Sequence, residues 1–380
     1  MEQKRGKTVI VKPVSMNCNS KCDYCYNLAL EQLRSDRAFG SMNLETAWNL
    51  QQGLIGLGLA RYRLIFHGGE PLLRGLPFYK GVVKQQQRIR KAHPELKIQN
   101  GVQSNFTRLT PEWCSFFKEY HFSIGTSIDG WCELHNAHRK YKNGNGTYND
   151  VMRGLLIAQE AGIMGGFISV ITDATITEDP IKYLDWLLSL NANAEVSPCW
   201  EMPDEDGALP SYVVTSEELL PYLQAMFDAW WIRNDPQKHL RLFHGFMQGL
   251  LGGHEMTCEF KGNCGDFLAI ECDGSVYPCG KFSGLPGFKL GNVNEQSLTE
   301  ILAQEKYQDW LRLRTELPAK CQACKWAKIC NNGCTYERYQ SDGTYAEIAP
   351  FCEVWSGMYE YVDGKIKTLQ AALAERNASV

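Results

Sequence analysis

The sequence predicts an α/β protein, a parallel sheet built from βαβ units followed by a small cysteine-rich region. Three observations carry this. Short apolar, β-branched runs alternate with stretches of helical spacing from residue 8 to residue 199. Several of the strand-like runs end in a turn rich in glycine, serine or asparagine. Fifteen cysteines crowd towards the two ends of the chain.

In order, residues 8–14 (Thr-Val-Ile-Val-Lys-Pro-Val) read as a strand leading directly into a cysteine loop. Residues 43–59 have helical spacing, and 61–67 read as a second strand ending in Gly68-Gly69-Glu70-Pro71. A helix over 78–91 precedes a third strand at 96–104, followed by Asn105. Thr110 starts a helix over 111–120. A fourth strand, 121–127, ends in Ile128-Asp129-Gly130. Helices over 148–161 and 181–190 flank a strand at 166–171, and a sixth strand follows at 194–199. The acidic, proline-bearing stretch 201–210 reads as a loop, and 216–232 and 240–251 as helices. Strands alternating with helices argue for parallel βαβ units.

A length of 380 residues suggests two or three domains at a prior of about 150 residues each. An apolar fraction of 44% with 22% charged residues belongs to a folded chain and excludes a disordered or collagen-like one. The formal charge of −4 argues against a dedicated nucleic-acid binder. No apolar run is long enough to span a membrane. The N-terminus has no signal-like h-region, so a cytoplasmic enzyme is expected. No leader-peptide recognition domain is expected ahead of the first strand.

In a reducing compartment this many cysteines point to metal binding or redox chemistry. Cys18, Cys22 and Cys25 form a C-x3-C-x2-C group with no fourth cysteine or histidine close by in sequence. Three thiolates can hold three irons of a cubane and leave the fourth open, whereas a structural zinc site is closed by four ligands. Further on come Cys258-x5-Cys264, then Cys279, then Cys321-x2-Cys324-x5-Cys330-x3-Cys334, and lastly Cys352. Asp273-Gly274 marks a hairpin ahead of Cys279. Cys114, Cys132, Cys199 and Cys272 are left over and are expected to be buried as small hydrophobes, with a ligand role for Cys272 the less favoured reading.

On these motifs the chain resembles the radical S-adenosylmethionine (SAM) superfamily. The later cysteines resemble its SPASM extension. The resemblance implies a partial (β/α)6, TIM-like barrel over 1–235 and a bridging helix over 236–257. A SPASM domain with a β-hairpin and helices would occupy 258–380, including a C-terminal helix. It implies three [4Fe–4S] clusters. One, on Cys18, Cys22 and Cys25, binds SAM. The others lie on Cys258, Cys264, Cys279 and Cys334, and on Cys321, Cys324, Cys330 and Cys352. In that family the open iron chelates SAM, whose reductive cleavage gives a 5′-deoxyadenosyl radical. Tyr24, Gly68, Gly69, Glu70, Ser104, Asn105, Ser127 and Arg139 match positions around the SAM site, Arg139 pairing with the carboxylate of SAM. An electron donor such as flavodoxin or ferredoxin is implied too.

The spacings agree further with the anaerobic sulfatase-maturating enzymes, which oxidise a cysteine or serine to formylglycine. Two positions depart from them. Gly280 stands where those enzymes carry an aspartate proposed as the general base, and His67 where they commonly have glutamine. The architecture is shared with maturases of ribosomally made peptides. The expectation is therefore a peptide maturase acting on a precursor peptide, with a C–C, cyclophane-type cross-link as its chemistry and formylglycine formation as the alternative. Tyr26, His67, Asp129, Glu201 and Lys281 are the candidate bases.

Overall fold

The computed structural model describes residues 6–27, 40–200, 208–235, 239–253 and 257–378. The chain divides into two compact units, Met1–Ile168 with Asn263–Leu313, and Ser169–Gly262 with Arg314–Val380. These units divide the chain differently from the motif-based segments.

In the first unit, β1 (Gly6–Val11), β2 (Arg61–Phe66), β3 (Lys97–Gln103), β4 (Ser123–Ser127) and the first half of β5 (Met164–Ile171) pair in parallel in sequence order. Helices α1 (Leu44–Gly56), α2 (Leu76–Ala92), α3 (Pro111–Glu119), α4 (Cys132–His138) and α5 (Tyr148–Glu160) lie between the strands. Their starts follow local chemistry. Asn43 accepts from the Thr46 N–H at 2.7 Å to cap α1, and Thr110 accepts from Trp113 to cap α3. Phe66, Phe78, Tyr79, Trp113, Phe117 and Phe122 pack into one aromatic cluster. Each is buried, an apolar gain of roughly 2–3 kcal/mol per ring.

The expected strands and helices are all present, to within a few residues at their ends. The first strand stops at Val11, ahead of Pro13, which has no N–H for a ladder. Helix α4 was not expected. The hairpin expected at Asp273-Gly274 is formed by β7 (Phe267–Ile270) and β8 (Ser275–Tyr277). Its placement is the larger surprise. β7 pairs in parallel with β1, in register from Thr8 opposite Phe267 to Val11 opposite Ile270. The short β9 (Gly291–Asn292) follows β8. Residues after the family boundary near 258 thus extend the first unit's sheet.

In the second unit, β6 (Asn193–Pro198) comes next to the end of β5. The sheet is open, as in a partial barrel. Helices α6 (Pro180–Ser189), α7 (Ser216–Arg233), α8 (Arg241–Leu250) and the long α9 (Cys352–Ala378) belong to this unit, with several shorter helical turns. Thr215 and Glu218 form a capping box at the start of α7. Phe246, Phe260, Trp355 and Tyr359 form its aromatic core. No helix among the described residues is long and apolar enough to cross a membrane.

Candidate functional site

In parallel α/β folds the chemistry sits at the C-terminal strand ends. In the first unit those ends carry the cysteine loop after β1, Gly68 to Glu70 after β2, Ser104 and Asn105 after β3, and Ser127 to Asp129 after β4.

Cys18, Cys22 and Cys25 are half-buried and none is in a disulfide. Burial pushes the Cys18 thiol up to about 11, and the neighbouring Cys25 sulfur adds to the rise. Burial pushes Cys22 up to about 12, offset in part by the Arg139 charge, with Cys18 and Cys25 raising it further. Three thiols that repel one another as anions fit a group of positively charged irons. Cys18 Sγ also accepts from the Ser20 N–H at 3.4 Å. Among the described residues no three Cys, His, Asp or Glu side chains converge on one metal ion. A cubane spreads its thiolates over several irons, so it needs no such convergence.

The glycine element lies directly against this loop. The Gly69 N–H donates to Ser15 O at 2.8 Å and the Glu70 N–H to Asn17 O at 2.9 Å. A Cβ on Gly69 would lie 2.1 Å from the Asn17 carbonyl oxygen, so only glycine fits. Glu70 is fully buried, and its carboxylate accepts from the Leu72 N–H (2.9 Å), the Ser104 hydroxyl (2.9 Å) and the Asn105 N–H (2.8 Å). Burial raises its pKa to about 7 in spite of these bonds. The Asn105 amide reaches back to Asn19 Oδ1 at 3.0 Å and to Cys18 Sγ at 3.8 Å. Ser127 Oγ accepts from Gln103 at 3.2 Å. The structure therefore gathers Gly68, Gly69, Glu70, Ser104 and Asn105 around the cysteine loop, as expected.

Arg139 is engaged within the protein. Its Nε donates to Asp129 Oδ2 at 2.6 Å and its Nη2 to Oδ1 at 3.2 Å. Its guanidinium carbon sits 5.3 Å from the centre of the Tyr24 ring, and the Tyr24 hydroxyl donates to the same Asp129 oxygen. Burial raises the Asp129 carboxyl, but the Arg139 charge and hydrogen bonds, His135 and Tyr24 outweigh it, so the net direction is down. A carboxylate so held is a poor proton acceptor.

Among the other candidate bases, Tyr26 lies near both His67 and Lys281. His67 Nδ1 accepts from the Gly68 N–H at 2.6 Å, and burial with the nearby Lys12 charge lowers its pKa to about 4. Tyr26 is 6.4 Å from the His67 ring, and burial raises its pKa. Lys281 lies half-buried in a short helical turn after Cys279. Glu201 lies outside the described residues. Gly280 is buried, and the atoms nearest a Cβ there belong to Ile10, the first at 3.4 Å.

One polar group went unnoticed in the sequence. Lys12 is fully buried, donates to Asn27 Oδ1 at 3.1 Å and pairs with Glu271 Oε1 at 3.6 Å. Asn27 donates to Gly68 O at 3.0 Å, and Ser283 to Glu271 at 2.6 Å. A lysine inside an apolar strand run was the available signal.

In the second unit, Cys321, Cys324, Cys330 and Cys352 share one region of short helices and the start of α9. Burial raises Cys330 to about 12, and the N–H groups of Gly333 and Asn332 offset part of that. In the first unit, burial likewise raises Cys279, with Cys264 near enough to raise it further. Cys258 and Cys334 fall in the second unit. Of the leftover cysteines, Cys114, Cys199 and Cys272 are buried as expected. Cys132 is not. It stands half-exposed at the first turn of α4, where its sulfur accepts from Asn136 at 3.2 Å.

Comparison with known proteins matches residues 13–187 to the radical SAM superfamily and 258–325 to the SPASM iron–sulfur cluster-binding domain. The chain is 28% identical to the cysteine-type anaerobic sulfatase-maturating enzyme of Clostridium perfringens over 93% of its own length and 95% of the relative's. It is 28% identical to the serine-type enzyme of Bacteroides thetaiotaomicron, over 87% and 83%. The solved structure of native anSMEcpe with bound AdoMet and the Cp18Cys peptide superposes with a TM-score of 0.84 at 25% identity, covering 97% of this chain and 99% of that one. The cofactors are thus SAM and [4Fe–4S] clusters, in keeping with three cysteine sets. The three-cysteine loop, its glycine element and these matches together make the chain an enzyme of the radical SAM superfamily with a SPASM iron–sulfur domain.

Proposed function

We propose that this enzyme oxidises a side chain of a peptide or protein, converting cysteine or serine to formylglycine as its sulfatase-maturating relatives do. The observation that carries this is the full-length similarity to a structure that holds both AdoMet and a cysteine peptide. Cross-linking, the first expectation from the sequence, gains no support from the comparisons, which favour the alternative.

Cys18, Cys22 and Cys25 would hold the SAM-binding cluster. Tyr24, Gly68, Gly69, Glu70, Ser104, Asn105, Ser127 and Arg139 would surround SAM. Cys321, Cys324, Cys330 and Cys352 would hold one auxiliary cluster, and Cys258, Cys264, Cys279 and Cys334 the other. A reduced flavodoxin or ferredoxin would supply electrons. When bound, these groups provide the 5′-deoxyadenosyl radical and a route for the product's electron. The chain itself binds, orients and excludes water. It must also take the proton from the heteroatom on the oxidised carbon, the hydroxyl or thiol. His67 fits that role poorly, because its acceptor nitrogen is already bonded to the Gly68 N–H.

A second reading rests on Gly280. With no carboxylate there, hydrogen abstraction would be followed by bond formation to an aromatic ring carbon, whose hydrogen would leave as a proton with one electron passed to an auxiliary cluster, giving a cyclophane in a precursor peptide.

The test is anaerobic incubation of the reconstituted enzyme with SAM, a reductant and a sulfatase-type cysteine or serine peptide, read by mass spectrometry. Aldehyde is the expected product. A Cβ at Gly280 would meet Ile10 at ordinary van der Waals distance, and Gly280→Asp is expected to raise the yield by about tenfold or more. Release of 5′-deoxyadenosine with both peptides untouched, and loss of two hydrogens from an aromatic-rich precursor peptide, would establish the second reading instead.

A further inference from the structure

A closed ring of hydrogen bonds joins the ends of β4, α4 and the turn before α5. The Asp129 N–H donates to His135 Nδ1 at 3.3 Å. That places the imidazole proton on Nε2, which donates to Thr147 Oγ1 at 2.9 Å. The Thr147 hydroxyl donates to the Arg139 carbonyl at 3.1 Å. The Arg139 guanidinium closes the ring onto the Asp129 carboxylate with two bonds. Every donor in the ring has one acceptor, and Asp129, His135 and Thr147 are all buried. The Tyr24 hydroxyl joins at Asp129, and Tyr24 lies between Cys22 and Cys25.

We propose that Asp129 is a positioning residue: its carboxylate fixes the Arg139 guanidinium in one arrangement, so that Arg139 is pre-set for the carboxylate of SAM. The inference rests on the reading of Arg139 as a SAM partner. Asp129 takes two of the five guanidinium N–H donors and leaves three not committed to it. It acts on SAM only through Arg139. Coupling of this kind makes ligand-orienting partners matter about as much as the ligands they orient.

The experiment measures SAM binding to the anaerobically reconstituted enzyme by equilibrium dialysis, alongside iron content and the SAM-free EPR spectrum. Asp129→Asn keeps the shape but replaces one acceptor oxygen with a donor. It is expected to raise the Kd for SAM by about tenfold with iron content and the SAM-free spectrum unchanged. In an Arg139→Ala background the same substitution should add less than about twofold, because the residue it acts through is gone. At saturating SAM, 5′-deoxyadenosine formation by Asp129→Asn should recover most of its rate, since the loss is in binding. An unchanged Kd in Asp129→Asn, or a tenfold effect that persists without Arg139, overturns the proposal. If Arg139→Ala itself binds SAM normally, the reading of Arg139 fails instead. Should Asp129→Asn not retain iron, Thr147→Val removes the far side of the ring. It is expected to raise the Kd about threefold, again only when Arg139 is present, and a Kd unchanged there overturns the proposal equally.

Discussion

Two cysteine regions, one in each compact unit, are built on different principles. The loop at Cys18 to Cys25 is set among charged and polar side chains that are themselves buried. Asp129, Glu70 and Lys12 are each 2% exposed or less. The region around Cys321 to Cys334 is held by backbone geometry and aromatic packing. Asn331, Asn332 and Gly333 all have positive φ, at 51°, 57° and 60°, and this left-handed turn aims the Asn332 and Gly333 N–H groups at Cys330. The Asn332 side chain fastens the turn, donating to Glu347 O at 3.1 Å and accepting from Ala349 N–H at 2.9 Å. Arg338 is buried but spends its donors on the Tyr345 and Arg314 carbonyls and Thr335. Trp326 stacks on Tyr359, whose hydroxyl donates to Ile329 O. Buried charge is expensive and is kept where it has something to bind. On the proposed cluster assignment, the difference suits reactive chemistry in the first unit and a supporting or electron-transfer role in the second.

The comparison is broken most severely at the cysteines. Cys22→Ala should lower 5′-deoxyadenosine release by about a thousandfold or more, whereas Cys330→Ala should leave substrate-free release within about tenfold of the parent. Equal losses at the two sites, measured by chromatography of the quenched reaction, would erase the distinction.

The backbone supports should also differ. Gly69→Ala drives a Cβ into the Asn17 carbonyl and is expected to destabilise the fold by about 3 kcal/mol or more in thermal unfolding. Gly333→Ala meets a strained φ and the Ala349 methyl at 2.7 Å, with an expected loss of about 1–2 kcal/mol. A reversed order would show that the second region is the less tolerant.

A smaller effect sharpens the charged side of the comparison. His135 is buried, and burial lowers its pKa to about 4 even though Asp129 pulls it upward. Its unfolded value is the ordinary 6.5. Below 6.5 the unfolded chain takes up the proton first, so stability falls as pH drops from 6.5 to about 4, by up to about 3 kcal/mol from this one group. His135→Gln should flatten that part of the unfolding profile. An unchanged slope would mean that His135 is protonated in the folded protein.

Much of this was legible in the sequence, for local reasons. Apolar runs of period two, helical spacing and capping residues such as Asn43 and Thr110 specify elements within a dozen residues. The cysteine spacings pointed to iron–sulfur chemistry, in keeping with the matched families. The pairing of β7 with β1 was not legible, since it joins Thr8 to Phe267 and no local signal marks such a partner. Helix α4 is short and polar, with little periodicity to read. The Asp129 ring joins β4, α4 and the turn before α5, and the Lys12 pair joins segments more than 250 residues apart. Asp129 was visible only as a titratable residue at a strand end, which suggested a base and could not reveal that Arg139 and Tyr24 occupy its oxygens.

The most direct test of the central claim asks which cluster SAM touches. The dithionite-reduced enzyme carrying alanine at Cys321, Cys324, Cys330 and Cys352 is compared by EPR, with and without SAM, with the enzyme carrying alanine at Cys18, Cys22 and Cys25. A SAM-induced spectral change that survives in the first and vanishes in the second is the predicted result. A change that survives only in the second would place SAM in the second unit and contradict the account.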